Sequence, residues 1–260
     1  MFLDLDDLTM HLRTDGPQDA PVLLMLHSLG TDHGVWDPQA AVLSRNFRVV
    51  RPDLRGHGLT GVTAGPYSIK GLAEDALCAM NRLGIMQAHV AGLSIGGMVG
   101  QALAAVAPSR VSSLVLCDTA MSIPPPGLWR DRAATVRASG TTAIADAVVA
   151  RWVTPAAADT PETHRLRSMV VNTASEGYAG AAEAIAAADL ASMTPSLRVP
   201  VLIAVGDQDV ATPIAAAQHL AGAIAGSELS VIMGASHIPT FERSNELTGV
   251  IKTFLQRQLS

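Results

Sequence analysis

Cysteine, basic charge and long apolar runs are what this 260-residue chain has little of. Its two cysteines, Cys78 and Cys117, sit in an apolar helix pattern and an apolar strand pattern, which predicts two buried free thiols rather than a disulfide or a metal pair. A formal net charge of −5 removes the basic field that nucleic acid or an acidic membrane surface would require. No run approaches the roughly 18 apolar residues of a membrane span. The opening Met1-Phe2-Leu3-Asp4-Leu5-Asp6-Asp7 is acidic where a signal peptide is basic, so the expectation is a cytoplasmic protein with neither membrane nor nucleic-acid partners. No Gly-rich loop has a Walker or Rossmann pattern and no Cys/His/Asp spacing resembles a metal site, so neither cofactor nor metal is implied. What remains, 48% apolar and 16% charged residues, is the composition of a globular protein able to bury a large core.

Short apolar runs alternate with helical patterns. Val22 to His27, Arg48 to Pro52, His89 to Leu93, Ser113 to Asp118, Pro200 to Val205 and Ser227 to Met233 read as strands. Continuously apolar strands separated by helices predict an α/β fold, a mostly parallel, doubly wound sheet covered on both faces. Tyr67 to Leu83 supplies one covering helix, with Leu72, Ala76, Ala79, Met80 and Leu83 on one stripe and Gly84 at its end. The rhythm breaks at Pro124-Pro125-Pro126, and helical patterns follow near Leu128 to Ala138, Thr142 to Val153, Pro161 to Asn172 and Glu176 to Ala188. An all-helical block inserted after the fifth or sixth strand either hangs free or sits over the carboxyl ends of the strands, where such sheets bind ligands. The organisation read from this is a core in two parts, residues 1–121 and 196–260, with a helical lid over 122–195.

Gly92-Leu93-Ser94-Ile95-Gly96 joins the strand-like segment ending at Leu93 to a helical pattern, Met98 to Ala107, that Pro108 stops. Gly-x-Ser-x-Gly between a strand and a helix builds a sharp turn that lifts the serine out as a nucleophile. Small flanking residues are required because a side chain at Gly92 or Gly96 would collide with the neighbouring strand or helix.

A serine hydroxyl is a weak nucleophile at neutral pH and needs a base beside it and a carboxylate to orient that base. With a serine elbow of this kind the chain order is Ser, acid, His. His237, in Gly234-Ala235-Ser236-His237 just past the last strand pattern, lies where the base belongs. Asp209, in Gly206-Asp207-Gln208-Asp209 after the preceding strand, is the candidate acid, with Asp118 at the end of its own strand as the alternative and Asp207 as a turn brace. A tetrahedral intermediate also needs N–H donors: Ile95, next to the nucleophile, and Leu29, in the turn His27-Ser28-Leu29-Gly30, are the candidate oxyanion hole. Arg55-Gly56-His57-Gly58 reads as a Gly-rich turn holding a flanking loop, with Asp53 and Arg55 as structural partners.

These residues together resemble the α/β-hydrolase superfamily and, more narrowly, the 3-oxoadipate enol-lactonases of aromatic-acid breakdown. The resemblance runs through Ser28-Leu29-Gly30-Thr31-Asp32 with Trp36-Asp37-Pro38-Gln39, Gly65-Pro66-Tyr67-Ser68-Ile69, the elbow through Met98, Thr119-Ala120, Ala150-Arg151-Trp152, and Val199-Pro200-Val201 into Thr212-Pro213. Departures fall at His27, Pro52, Leu54 and Ile238 to Glu242. The resemblance implies an α/β-hydrolase fold, the triad Ser94, Asp209 and His237, and acyl transfer on a small-molecule lactone or ester. An enol-lactone of this kind carries a carboxylate, for which Arg151, beside Trp152 in the lid helix, is the candidate guanidinium, with the two as candidate substrate-binding residues and Arg130 or Arg132 as the alternative cation. A broad carboxylesterase or carbon–carbon hydrolase, and a non-turnover ligand receptor on a hydrolase scaffold, are the alternatives.

Overall fold

The computed structural model describes residues 1–259. Its strands are β1 (Phe2–Asp4), β2 (Thr9–Asp15), β3 (Val22–Leu26), β4 (Arg48–Pro52), β5 (Ala88–Leu93), β6 (Val111–Cys117), β7 (Val201–Gly206) and β8 (Glu228–Ile232). They form one sheet in the order β1-β2-β4-β3-β5-β6-β7-β8. From β4 to β8 every pairing is parallel, and β1 and β2 close one edge antiparallel. The fold is the mostly parallel, doubly wound α/β sheet that the alternation of strands and helices implied. The β1–β2 hairpin was not expected. Its signal is short, with Met10 and Leu12 the buried alternate positions in an otherwise polar strand.

Because strand side chains alternate between faces, each apolar strand feeds two cores. Leu24, Leu26, Val90, Leu114, Leu116, Ile203 and Val205 point to one, with α2 (Ile69–Arg82), α3 (Ile95–Val106) and α8 (Ile214–Ala223) packed over them. Leu23, Met25, Ala91, Leu93, Val115, Cys117, Leu202 and Ala204 point to the other, beneath α1 (Asp37–Leu43) and α10 (Ser244–Gln256). Both cysteines are free; Cys117 is buried, whereas Cys78 is only half-buried because it lies at the margin of the α2 stripe.

Four helices, α4 (Pro126–Ser139), α5 (Thr142–Val149), α6 (Pro161–Asn172) and α7 (Ser175–Ala187), separate β6 from β7, with no strand among them. The block packs onto the core through Trp129, Ala133 and Val136 of α4 and Tyr178, Ala181 and Ile185 of α7. Helix α5 stops four residues earlier than its apolar pattern does, tightening into a turn in which Arg151 N–H donates to the Val148 carbonyl and Trp152 N–H to that of Val149, and Pro155 opens a new short helix. Arg151 and Trp152 therefore lie in the turn after α5, not in a helix. The short α9 (Pro239–Glu242) follows β8.

Candidate active site

Ser94 caps α3 with φ 56° and ψ −117°, a conformation that a non-glycine residue holds only when its surroundings force it. The force is visible. Ser94 N–H donates to the Cys117 carbonyl (2.9 Å), and the Thr119 hydroxyl donates to the Ser94 carbonyl (2.7 Å), pinning the turn to β6 and the residues after it. The flanking glycines are obligatory, since a Cβ on Gly92 would stand 2.2 Å from the Gly96 carbonyl oxygen and one on Gly96 2.3 Å from that of Leu26. Ser94 Oγ has no hydrogen-bond partner among the described residues, but Ser94 and His237 line the same cavity. In unliganded sites such contacts commonly close only around substrate.

His237 follows β8, and its loop is tied down from three sides. Asp207 accepts from the N–H groups of Gly234 (2.7 Å) and Ala235 (3.2 Å), acting as the turn brace. Glu242, which the sequence offered no reason to single out, accepts from Ser236 N–H and Thr154 N–H, both at 2.7 Å. Ile238 N–H donates to the Trp152 carbonyl. The histidine loop and the turn bearing Arg151 and Trp152 are thus one hydrogen-bonded unit.

Asp209 Oδ2 meets His237 Nδ1 at 2.8 Å, and the carboxylate also accepts from Thr212 Oγ1 (2.6 Å), Ala211 N–H (2.7 Å) and Thr212 N–H (3.2 Å). Burial alone would raise this carboxyl, but the His237 charge and these donors outweigh it and hold it well below the usual carboxylate range. Asp118 comes close as well, buried at the end of β6 with φ 43°.

Leu29 and Ile95 are both buried, and neither backbone N–H has an acceptor among the described residues. Unpaired buried N–H groups are costly unless something occupies them in function. The turn carrying Leu29 is latched by His27, whose Nδ1 meets the Ser28 carbonyl and whose Nε2 accepts from Leu54 N–H, each at 2.8 Å. Burial keeps His27 neutral, the state this latch needs. His27 and Leu54 therefore meet behind the turn that carries Leu29.

Above Ser94 lies a cavity of about 290 Å³, floored by Ser28, Leu29, Ser94 and His237 and roofed by Trp129, Trp152 and their neighbours in the helical block. Two guanidinium groups line it, those of Arg151 and Arg132. Arg151 is exposed, while half-buried Arg132 lies 4.8 Å from the Trp129 ring centroid. Neither pairs with a carboxylate among the described residues. Two groups have metal-ligand composition: His11, His33 and Asp53, and Asp118, Asp209 and His237. In the first, the Asp53 oxygens already accept from His11, His33 and Leu59, a saturated hydrogen-bond cluster that also anchors the Arg55-Gly56-His57-Gly58 loop. Arg55 itself pairs with Asp75 and Asp7.

The family model described as alpha/beta hydrolase fold matches residues 21–244. The 3-oxoadipate enol-lactonase 2 of Acinetobacter baylyi is 35% identical over 257 residues, covering 98% of this chain and 96% of that protein. Among solved structures, the enol-lactonase from Burkholderia xenovorans superposes with a TM-score of 0.96 at 40% identity, covering 98% of this chain and all of that one. A malate-bound thermophilic esterase from Thermogutta terrifontis gives 0.92 at 30% identity, covering 97% and 95% of the two chains.

Proposed function

The chain belongs to the alpha/beta hydrolase fold family, and from that membership and the geometry around Ser94 we propose that it is a serine hydrolase that opens a small carboxylate-bearing lactone, 3-oxoadipate enol-lactone. The observation that carries this reading is one cavity holding Ser94 and His237 on its floor and two carboxylate-free arginines on its walls. A serine–histidine pair alone would serve any ester. Guanidinium groups in a partly dry pocket favour a substrate that brings its own negative charge. The enol-lactonase relatives and the malate in the Thermogutta esterase agree with an anionic ligand.

In the proposed mechanism Ser94 attacks the lactone carbonyl as His237 takes its proton, with Asp209 holding Nδ1 and so presenting Nε2. The developing oxyanion is received by the N–H groups of Leu29 and Ile95, which have no acceptor among the described residues. Collapse breaks the ring C–O bond, and the enol oxygen leaves with the proton from His237. That oxygen stays tethered to the acyl chain, so the acyl-enzyme retains the whole substrate until water, deprotonated by His237, releases it as a single acid and the proton returns to Ser94. The helical block, residues 122–195, is proposed to act as a lid over Ser94, excluding bulk water while the charge develops. The test is kcat/KM for the enol-lactone beside neutral p-nitrophenyl esters. A preference for the esters would favour a broad carboxylesterase, and one stoichiometric burst without turnover would favour a receptor.

A further inference from the structure

We propose that Asp118 is a positioning residue of the triad, a carboxylic acid that keeps its proton and donates a hydrogen bond through it to Asp209, so that Asp209 stays ionised and fixed on His237. The inference rests on the reading of Asp209 as the acid that orients His237.

Strands β6 and β7 are neighbours in the sheet, and Asp118 ends the first just where the second leads towards Asp209. The backbone registers the two aspartates. Asp118 N–H donates to the Ala204 carbonyl (2.9 Å), and Gly206 N–H donates to Asp118 Oδ1 (2.8 Å). One oxygen of Asp118, one of Asp209 and a ring nitrogen of His237 lie within 4.8 Å of one another. Asp118 is 1% exposed and its Oδ2 meets no N–H or O–H donor. An ionised Asp118 would thus be a second buried negative charge with a single donor, directly beside a first that has four. Two carboxylates so placed share one proton, and it resides on the one with fewer donors. With the proton on Asp118, the orphaned oxygen becomes a donor and the pair a hydrogen bond.

The titratable groups facing Asp118 are Asp209 after β7, Glu242 in α9, His237 after β8 and its own neighbour Cys117, with no Lys or Arg among them. Burial first, and the Asp209 charge next, push the Asp118 carboxyl well above the ordinary carboxylate range. The left-handed φ of 43° that aims this side chain costs stability and persists only because the sheet imposes it.

The sign of the pH dependence follows. Below pH 3.8 folded and unfolded chains both hold this proton. Above it the unfolded chain releases the proton and the folded one keeps it, so stability is lost as pH rises towards the folded value. Asp118→Asn has no proton to release. Its stability relative to wild type should therefore climb with pH, the ratio of unfolding constants changing by up to about tenfold per pH unit above roughly pH 4.

The experiment compares Asp118→Ala, Asp118→Asn and Asp209→Asn in the full chain, measuring kcat and urea unfolding from pH 4 to 8. Asp118→Ala should lower kcat by about tenfold or more through the lost donor. Asp118→Asn should recover most of it, its amide nitrogen donating to Asp209 and its Oδ1 still accepting from Gly206. Asn and Ala equally impaired would end the donor role, and a stability ratio flat with pH would mean an ionised Asp118. Should the Ala variant fail to fold, the Asn stability ratio decides. Loss of activity in Asp118→Asn with little change in Asp209→Asn would instead overturn the acid assignment on which the inference rests.

Discussion

Arg132→Leu and Arg151→Leu should separate substrate recognition from chemistry, because both guanidinium groups line the cavity and neither pairs with a protein carboxylate among the described residues. Arg132 is half-buried against Trp129, so its orientation is already restricted and its charge weakly screened. A charge-assisted hydrogen bond in such a place contributes about 2 to 3 kcal/mol, roughly thirtyfold to a hundred-and-sixtyfold in kcat/KM for the anionic enol-lactone. Arg151 is exposed, and solvent screening reduces its share to about 1 kcal/mol, near fivefold. Steady-state kinetics on the enol-lactone and on neutral p-nitrophenyl acetate provide the comparison. The ester offers no carboxylate, so both variants should hydrolyse it within about twofold of wild type. Because the two guanidinium groups could bind one carboxylate jointly, the double variant should lose less than the product of the single losses. Equal losses on both substrates would show that the arginines only hold the helical block in place. No loss on the lactone would refute the anionic-substrate argument.

Ser94→Ala should lower kcat by about three orders of magnitude or more without changing the urea midpoint, and residual activity above roughly a hundredth of wild type would exclude the serine as nucleophile. Gly96→Ala places a Cβ 2.3 Å from the Leu26 carbonyl oxygen, a backbone atom that cannot rotate away. It should cost about 2 to 3 kcal/mol in urea unfolding, and an unchanged midpoint would mean that the elbow is far looser than it looks. His57 is held neutral by burial with its pKa pushed down to about 3 from 6.5, so its contribution is full above pH 6.5 and is lost as pH falls below that value. By pH 5 wild type should have lost about 2 kcal/mol that a His57→Gln variant does not lose, which urea midpoints at pH 7 and 5 would show or deny.

The central strands were legible because they are buried on both faces and so read as unbroken apolar runs, as Ala88–Leu93 and Val201–Gly206 do. The β1–β2 edge was not, because only Met10 and Leu12 are fully buried there and short half-polar strands have little pattern to read. Helices α4 to α7 announced themselves through Pro124-Pro125-Pro126 and apolar periodicity, but the end of α5 did not. There the apolar residues run on through Val153 while Pro155 and the turn that must meet the histidine loop decide the boundary.

The site divides along the same physical line. Ser94, Ile95 and their glycines are local, because one pentapeptide contains both the strained turn and the reason for it. Asp209 and His237 were candidates from strand order and the Ser, acid, His sequence, since each follows a strand of a parallel sheet whose carboxyl edge gathers such ends in one row, but strand order alone left Asp118 as a competing acid. Arg132, Glu242 and the proximity of Asp118 to Asp209 have no such local mark. Arg132 is one of several arginines on an amphipathic helix, and only the packing of α4 against α7 turns it inward rather than Arg130. Glu242 resembles any acidic residue in a short helix until the Ser236 and Thr154 N–H groups are found on its two oxygens. Whether an aspartate after β6 is an acid, a brace or an idle charge depends on the register of β6 against β7. That register, with Cys117 opposite Ala204, brings Asp118 against Gly206, three residues before Asp209. The residues proposed to make and break bonds are thus constrained by backbone geometry close to them in sequence, while those proposed to tune charge and select substrate are constrained only across the fold.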